Sequence, residues 1–169
     1  TFLENDTVLN ELTEGIPEHG YLYNIPYRDG MADDYFSTRW FVNTWNMLFP
    51  DKKVTGVKEI ALRASNGDNN AQSLFENFAS NFVEFITPFL LNFKPEKLII
   101  GGNIAKASDF FLDNIQSQLE KLNLITKIDI CRLWDMSPLI GSAIYTSNIL
   151  KNMENTKEKR HTEQFIAPI

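Results

Sequence analysis

The sequence predicts an α/β domain, and two observations carry this prediction. Residues 97–100 and 127–131 are short apolar strands, and an amphipathic helix at about 107–122 separates them. A strand, a helix and a strand in this order form a right-handed parallel unit. The second observation is a long helix over about 69–93, in which six Phe residues recur every three or four positions.

The composition is that of a folded domain rather than a disordered chain. The 169 residues include 16 Lys and Arg against 22 Asp and Glu, so the formal charge is −6. With 43% hydrophobic and 22% charged residues, the chain has enough apolar side chains to bury a core. The acidic balance argues against a nucleic-acid footprint, so we expect no direct contact with nucleic acid.

Cysteine and histidine are too scarce for several kinds of metal site. Cys131 is the single cysteine, which excludes an internal disulfide and any multi-cysteine zinc or iron–sulfur site. Two histidines, His19 and His161, exclude a His-rich centre. No apolar run approaches the roughly 18 residues of a membrane span, and no basic and apolar leader is recognisable. We therefore expect a cytoplasmic protein with no membrane partner.

The first elements in the chain are a hairpin and a loop. Strands at Thr1–Glu4 and Thr7–Leu9 flank Asn5-Asp6, which offers a two-residue turn. Because a domain is not expected to begin within a hairpin, we expect this sequence to be a piece of a longer protein. Residues 10–31 are rich in Gly, Pro and polar residues, which predicts a loop with one short strand near 21–25.

Three helices are predicted in the middle of the chain. Asp33 or Asp34 caps the first, which runs to about Leu48. Val57–Ala64 is a short second helix, and Asp68 caps the long aromatic one. The aromatic stripe either packs in a core or forms a ligand-stacking surface, and core packing is the favoured interpretation.

The last predicted helix leads into a polar tail. Ser137, followed by Pro138, is a strong start signal for this helix. Residues 153–169 become polar and mixed in charge before an apolar end. We therefore expect one domain over residues 1–152 and a tail over 153–169.

Few residues could carry chemistry by their type alone. There is no cysteine–histidine pair for a nucleophile and no Walker-type loop. Glu18 lies in a loop of turn residues, where a carboxylate can accept two sugar hydroxyls, although a solvated surface acid is the favoured interpretation of this residue by itself. Gly101-Gly102 follows a strand, where a bare backbone admits a flat or anionic group or only makes a tight turn.

The order of these features resembles the C-terminal domain of the repressor, ORF, kinase (ROK) family of sugar kinases over about residues 1–150. The first hairpin followed by Gly15-x-x-Glu18-x-Gly20 is similar to the family's hairpin and sugar loop. Residues 64–71, Ala-Ser-Asn-Gly-Asp-Asn-Asn-Ala, resemble its entry to the long helix. Residues 94–103, Lys-Pro-Glu-Lys-Leu-Ile-Ile-Gly-Gly-Asn, with Leu-Ile-Gly-Ser-Ala at 139–143, are the most specific match.

The resemblance implies a fold, a substrate and a cofactor. The fold is ribonuclease-H-like (the actin and hexokinase type), a mixed sheet with flanking helices. Glu18 falls on a sugar-hydroxyl ligand of the family, and Asp33 falls on the second carboxylate. Gly101 and Gly102 fall on the turn that faces the adenosine of ATP, which binds with Mg²⁺, and Asn103 is adjacent.

Two departures from the family pattern concern its zinc site. Tyr21 stands where the family has a histidine that binds both sugar and zinc. Residues 27–31, Tyr-Arg-Asp-Gly-Met, replace the Cys-rich zinc loop, so we expect no zinc. A tyrosine can still exchange one hydrogen bond with a sugar, and Tyr21 remains a candidate substrate-binding residue.

The resemblance also implies that part of the kinase lies elsewhere. The family's catalytic aspartate and first phosphate loop belong to an N-terminal domain, so these 169 residues alone are expected to be inactive. The expected partners are a hexose, that N-terminal domain and a second copy in a homodimer. Two alternatives are the sugar-sensing domain of a ROK transcriptional regulator and a sugar-binding homologue without catalysis.

Overall fold

The fold is a mixed α/β arrangement in which helices predominate. The computed structural model describes the backbone of residues 2–4, 7–9 and 16–164, and the side chains of these residues except 7, 135 and 152–164. The turn predicted at Asn5-Asp6, the loop residue Gly15 and the apolar end at 165–169 lie outside the described residues. The chain divides into two compact units, Thr1–Cys131 and Arg132–Ile169.

The described strands pair two by two. They are β1 (Phe2–Glu4), β2 (Thr7–Leu9), β3 (Pro26–Tyr27), β4 (Gly30–Met31), β5 (Lys97–Ile100) and β6 (Lys127–Ile130). β1 with β2 and β3 with β4 are antiparallel, whereas β5 and β6 are parallel in the register Lys97 to Lys127. The parallel unit is confirmed, and the strands of the described residues form separate two-stranded sheets rather than one mixed sheet.

The helices carry most of the described chain. They are α1 (Ala32–Tyr35), α2 (Thr38–Leu48), α3 (Val57–Ser65), α4 (Asn69–Phe93), α5 (Leu112–Lys121) and α6 (Ser137–Gln164). Short 3₁₀ segments lie at Glu18–Gly20, Pro50–Lys52, Asn103–Phe110 and Trp134–Met136. In the described residues, no helix has both the length and the apolar character that crossing a bilayer requires.

The long helix α4 forms where the sequence predicts it. The Asp68 carboxylate accepts hydrogen bonds from the backbone N–H groups of Asn70 (2.9 Å) and Ala71 (3.4 Å), which satisfies donors that the first turn leaves free. The helix ends at Phe93, and the next residue, Lys94, has a left-handed φ of 51°. Both bounds of this helix are therefore set by local capping.

The aromatic stripe of α4 divides into a buried part and an open part. Phe75 and Phe78 are buried, and the ring of Phe41 lies 5.0 Å from each of them. Core packing is confirmed for this part. Further along the helix, Phe89 and Phe93 are only half-buried, and they face a cleft.

Three predicted elements differ from the structure. No strand lies at 21–25, because the chain turns there and Ile25 N–H donates to the Leu22 carbonyl at 3.3 Å. The helix predicted to run to Leu48 is two helices, because Phe36 leaves the helix to pack on Phe85 (5.0 Å). The helix predicted over about 107–122 begins as a 3₁₀ segment, and α5 starts only after it.

In the second unit, α6 begins at Ser137, as the start signal predicts. The helix continues to Gln164, past the position where the sequence changes to a polar tail. The predicted division into residues 1–152 and 153–169 thus falls within one continuous helix.

Candidate functional site

A cleft of about 910 Å³ opens on the first unit. β1 and β5 border it, and α4 supplies its aromatic floor. Among the candidate residues, Asp33 and Gly101 line this cleft, and Tyr23 lines it beside Asp33. The cleft therefore brings together one residue from each of the two predicted sites.

Two groups of candidate residues are considered with this cleft. The acidic group is Glu18, Tyr21, Tyr23 and Asp33. The glycine corner is Gly101–Asn103. Glu18, Tyr21, Gly102 and Asn103 lie outside the lining of the cleft.

Glu18 begins a tight 3₁₀ turn. The next two residues, His19 and Gly20, have φ of 62° and 66°, and Gly20 N–H donates to the Pro17 carbonyl at 2.8 Å. The turn leaves the Glu18 side chain 78% exposed, with Oε1 3.5 Å from His19 Nε2. The carboxylate is thus held on a turn and remains accessible to a ligand.

A row of aromatic rings runs from His19 to Tyr23. The ring of Tyr21 lies 6.4 Å from that of His19 and 5.8 Å from that of Tyr23. Tyr21 and Tyr23 are 48% and 58% exposed. A tyrosine offers an apolar face and one hydroxyl, a combination that suits a ligand with both kinds of surface.

Asp33 and Asp34 have different roles. Asp33 N–H donates to the Tyr23 carbonyl at 2.9 Å, and its Oδ2 pairs with Arg39 Nη2. Asp34 Oδ2 instead accepts the N–H of Met31 at 3.1 Å and so caps α1. The capping interpretation therefore applies to Asp34, and Asp33 is the carboxylate that lines the cleft.

The β3–β4 hairpin is fastened to α4 by side chains. Tyr27 Oη donates to Glu84 Oε2 at 2.9 Å and lies 3.2 Å from the Asn81 carbonyl oxygen. Arg28 Nη2 donates to the same Glu84 oxygen at 2.7 Å. Burial, helped by Glu84, raises the pKa of Tyr27 to about 12. The hydrogen bonds from Arg28 and Tyr27 hold the pKa of Glu84 below its ordinary value.

This network lies in residues 27–31, the segment that the resemblance sets against the family's zinc loop. Arg28 has a φ of 54°, and its guanidinium lies 5.1 Å from the ring centre of Tyr27 and 5.9 Å from that of Tyr35. Tyr35 Oη donates to Asp29 Oδ1. In the part of the chain that the structure describes, no three His, Cys, Asp or Glu side chains are placed to hold a metal ion. Within residues 27–31, Asp29 is the one side chain of a type that commonly ligates zinc.

The glycine corner is shaped by backbone conformation. Gly102 has φ of 74° and ψ of −172°, a region that is essentially restricted to glycine, and a Cβ there would meet nothing within 4 Å. A Cβ on Gly101 would lie 3.4 Å from Cys131 Cβ. Both glycines are exposed, so the corner presents bare backbone to a flat group.

Asn103 opens the 3₁₀ segment after the corner. Its Oδ1 accepts a hydrogen bond from Lys106 Nζ at 2.9 Å, and Ala105 N–H donates to the Gly102 carbonyl at 3.2 Å. The Lys106 ammonium group therefore lies beside the Asn103 side chain, where its charge favours an anionic ligand.

Sequence reasoning did not identify four residues of these sites. Tyr23 was visible only as part of an alternating pattern, which resembled a strand. Arg39 lies six positions after Asp33, a spacing that one helix does not bring together. Glu84 lies 57 positions from Tyr27, so no local signal exists for that contact. Asn103 and Lys106 are three positions apart, and this spacing could have predicted their contact.

Comparison with known proteins gives one positive finding. The family model described as ROK family matches residues 28–146, which include Asp33, the glycine corner and the start of α6. The chain matches no curated protein.

Proposed function

Because the chain belongs to the ROK family, we propose that it is the C-terminal half of an ATP-dependent hexose kinase with a ribonuclease-H-like fold. The observation that carries the proposal is the single cleft lined by both Asp33 and Gly101. A kinase must hold a sugar and a nucleotide side by side, and this cleft places a carboxylate and a bare-backbone turn on one surface.

The acidic group provides hydrogen-bond partners for a sugar. Glu18 accepts two hydroxyl donors, because its exposed carboxylate has several free lone pairs. Asp33 has one oxygen paired with Arg39, so its remaining capacity is smaller. Tyr21 contributes one hydroxyl and an exposed ring face. These residues bind and orient the sugar, while the catalytic carboxylate comes from the remainder of the protein.

The glycine corner provides the nucleoside side of the site. Gly101 and Gly102 present backbone without side chains, and Asn103 offers an amide beside Lys106. ATP with Mg²⁺, when bound, supplies the phosphoryl group. We propose that the side chains at 27–31 support the acidic group without zinc. The proposed partners are a hexose, the remainder of the protein and a second copy, without nucleic acid or membrane.

Substitutions in the whole protein test the sugar assignment. Glu18→Gln should raise KM for the hexose by about tenfold or more, since a hydrogen bond to a charged group is worth about 1.5–3 kcal/mol. Asp33→Ala should raise it less, because Arg39 already neutralises part of that charge. KM for ATP should change little in both variants. Asp34→Asn is the matched control, because Asp34 caps α1 outside the cleft. A hexose KM that neither Glu18→Gln nor Asp33→Ala changes would remove the acidic group from the sugar site.

A further inference from the structure

The row of rings from His19 to Tyr23 reaches the cleft at one residue. Tyr23 lines the cleft, whereas His19 and Tyr21 lie outside its lining. Asp33, which also lines the cleft, donates its backbone N–H to the Tyr23 carbonyl at 2.9 Å. Tyr23 is 58% exposed. An exposed aromatic ring and a carboxylate therefore enter one cleft from backbone segments that are hydrogen-bonded to each other.

The turn that carries Tyr23 is held in place by its neighbours. Ile25 N–H donates to the Leu22 carbonyl at 3.3 Å, and Ala32 N–H donates to the Ile25 carbonyl at 2.9 Å. Leu22 and Ile25 are half-buried, and both pack against the buried cluster that includes Tyr27 and Ala32. The turn is thus fixed on both sides of Tyr23, while the Tyr23 ring stays in contact with solvent.

A ring on a fixed turn and a neighbouring carboxylate match the two kinds of surface of a pyranose. The hydroxyls of a pyranose radiate from its edge, and its two faces carry C–H groups. An aromatic face covers C–H groups, whereas a carboxylate accepts hydroxyl donors at the edge. Because the turn is already ordered, the contact costs little conformational entropy when the sugar binds.

We propose that Tyr23 determines which hexoses the cleft accepts, because its ring stacks on one face of the sugar. The inference rests on the proposed function and names a residue that sets its substrate class. In the chair form of β-D-glucose every ring hydroxyl is equatorial, so both faces present hydrogens. An axial hydroxyl on the stacked face would stand between the two rings and lose water without gaining a partner. The preferred substrates are therefore hexoses whose face toward Tyr23 carries only hydrogens.

Three epimers of glucose distinguish the two faces of the sugar. The axial hydroxyls of mannose at C2 and of galactose at C4 project from the same face, and that of allose at C3 projects from the opposite face. A ring that stacks on one face therefore loses its contact with mannose and galactose together, or with allose alone. A carboxylate at the edge meets the C2, C3 and C4 hydroxyls as separate positions and does not predict this grouping.

Binding of four hexoses to the whole protein tests the proposal. NMR titration gives the Kd of D-glucose, D-mannose, D-galactose and D-allose for the wild type and for Tyr23→Ala. The substitution should raise the Kd of glucose by about two- to tenfold, the usual contribution of one aromatic contact. The epimers that keep a free face should lose as much as glucose. The epimers with the blocked face should bind weakly to the wild type, and their Kd should not change.

Two further variants separate the ring from the hydroxyl and from a general surface effect. Tyr23→Phe keeps the ring, so it should retain the wild-type Kd for all four sugars. Leu62→Ala is the matched control, because Leu62 is an exposed (63%) residue of α3 outside the cleft. It should also leave the four values unchanged.

The possible failures are distinguishable. An equal rise in Kd for all four sugars in Tyr23→Ala, or different responses of mannose and galactose, would overturn stacking on one face. A loss in Tyr23→Phe equal to that in Tyr23→Ala would assign the effect to the hydroxyl and overturn the proposal as well. Unchanged glucose binding in Tyr23→Ala would remove Tyr23 from the sugar site and leave the proposed function standing. No binding of any hexose to the wild type would overturn the proposed function and this inference together.

Discussion

The acidic group and the glycine corner flank one cleft but are built by different means. The acidic group depends on side chains from distant segments, since Tyr27 and Arg28 anchor the hairpin before Asp33 to Glu84 of α4. The glycine corner depends on one backbone conformation, that of Gly102. Substitution of one supporting side chain should therefore weaken the acidic group only in part. The glycine corner should accept a side chain only at a position whose backbone conformation allows a Cβ atom.

Ring packing and hydrogen bonds support the acidic group at the β3–β4 hairpin. Tyr27 and Arg28 converge on one carboxylate oxygen, and the ring of Tyr35 packs edge-on against Tyr27 at 5.0 Å. Packing and hydrogen bonds thus fix the segment that precedes Asp33.

The largest expected effect comes from the buried ring of this support. Tyr27→Ala should lower the free energy of unfolding by about 3–5 kcal/mol, as truncation of a buried aromatic ring does. Tyr27→Phe keeps the ring and loses the hydroxyl, so it should cost about 0.5–1.5 kcal/mol. Urea unfolding measures both values. Equal losses in the two variants would show that the hydroxyl, rather than the packed ring, fixes the hairpin.

The glycine corner should show an intermediate effect. Gly102→Ala forces a side chain into a conformation that costs about 1–3 kcal/mol, although space for the methyl group is open. Gly101→Ala is the matched control, because its φ is not positive and its Cβ would meet only Cys131 Cβ at 3.4 Å. Thermal or urea unfolding compares the two. A smaller loss for Gly102→Ala than for Gly101→Ala would contradict the backbone account of the corner.

The smallest effect is expected for the exposed ion pair. Glu84→Gln should cost less than about 1 kcal/mol at neutral pH, since Arg28 and Glu84 are 45% and 59% exposed. The folded-state pKa of Glu84 is lowered, so its stabilisation is complete above about pH 4.5 and is lost as the pH falls through the lowered value. The difference between wild type and variant should therefore vanish in acid. Glu76→Gln, on an exposed position of the same helix, is the matched control for the removal of one carboxylate.

Signals between neighbouring residues predict the helices and strands, whereas contacts between residues distant in sequence determine which side chains meet at the candidate site. Asp68 predicts the start of α4 because capping involves neighbours, and β5 follows from a run of apolar residues. The β3–β4 hairpin has strands of two residues and depends on Glu84, so no periodicity reveals it. Glu18, Tyr21 and Asp33 stay predictions that come from a motif, whereas Tyr23 joins the acidic group through the packing.

The most direct test of the central claim is an NMR titration of the 169-residue chain with two ligands. D-glucose at millimolar concentration should shift the amide signals of Glu18, Tyr21 and Asp33, because their side chains receive its hydroxyls. ATP with Mg²⁺ should shift those of Gly101–Asn103. Shifts from glucose alone would indicate a sugar sensor rather than a kinase half. Shifts from neither ligand, or from ATP at the acidic group, would contradict the proposed division of the cleft.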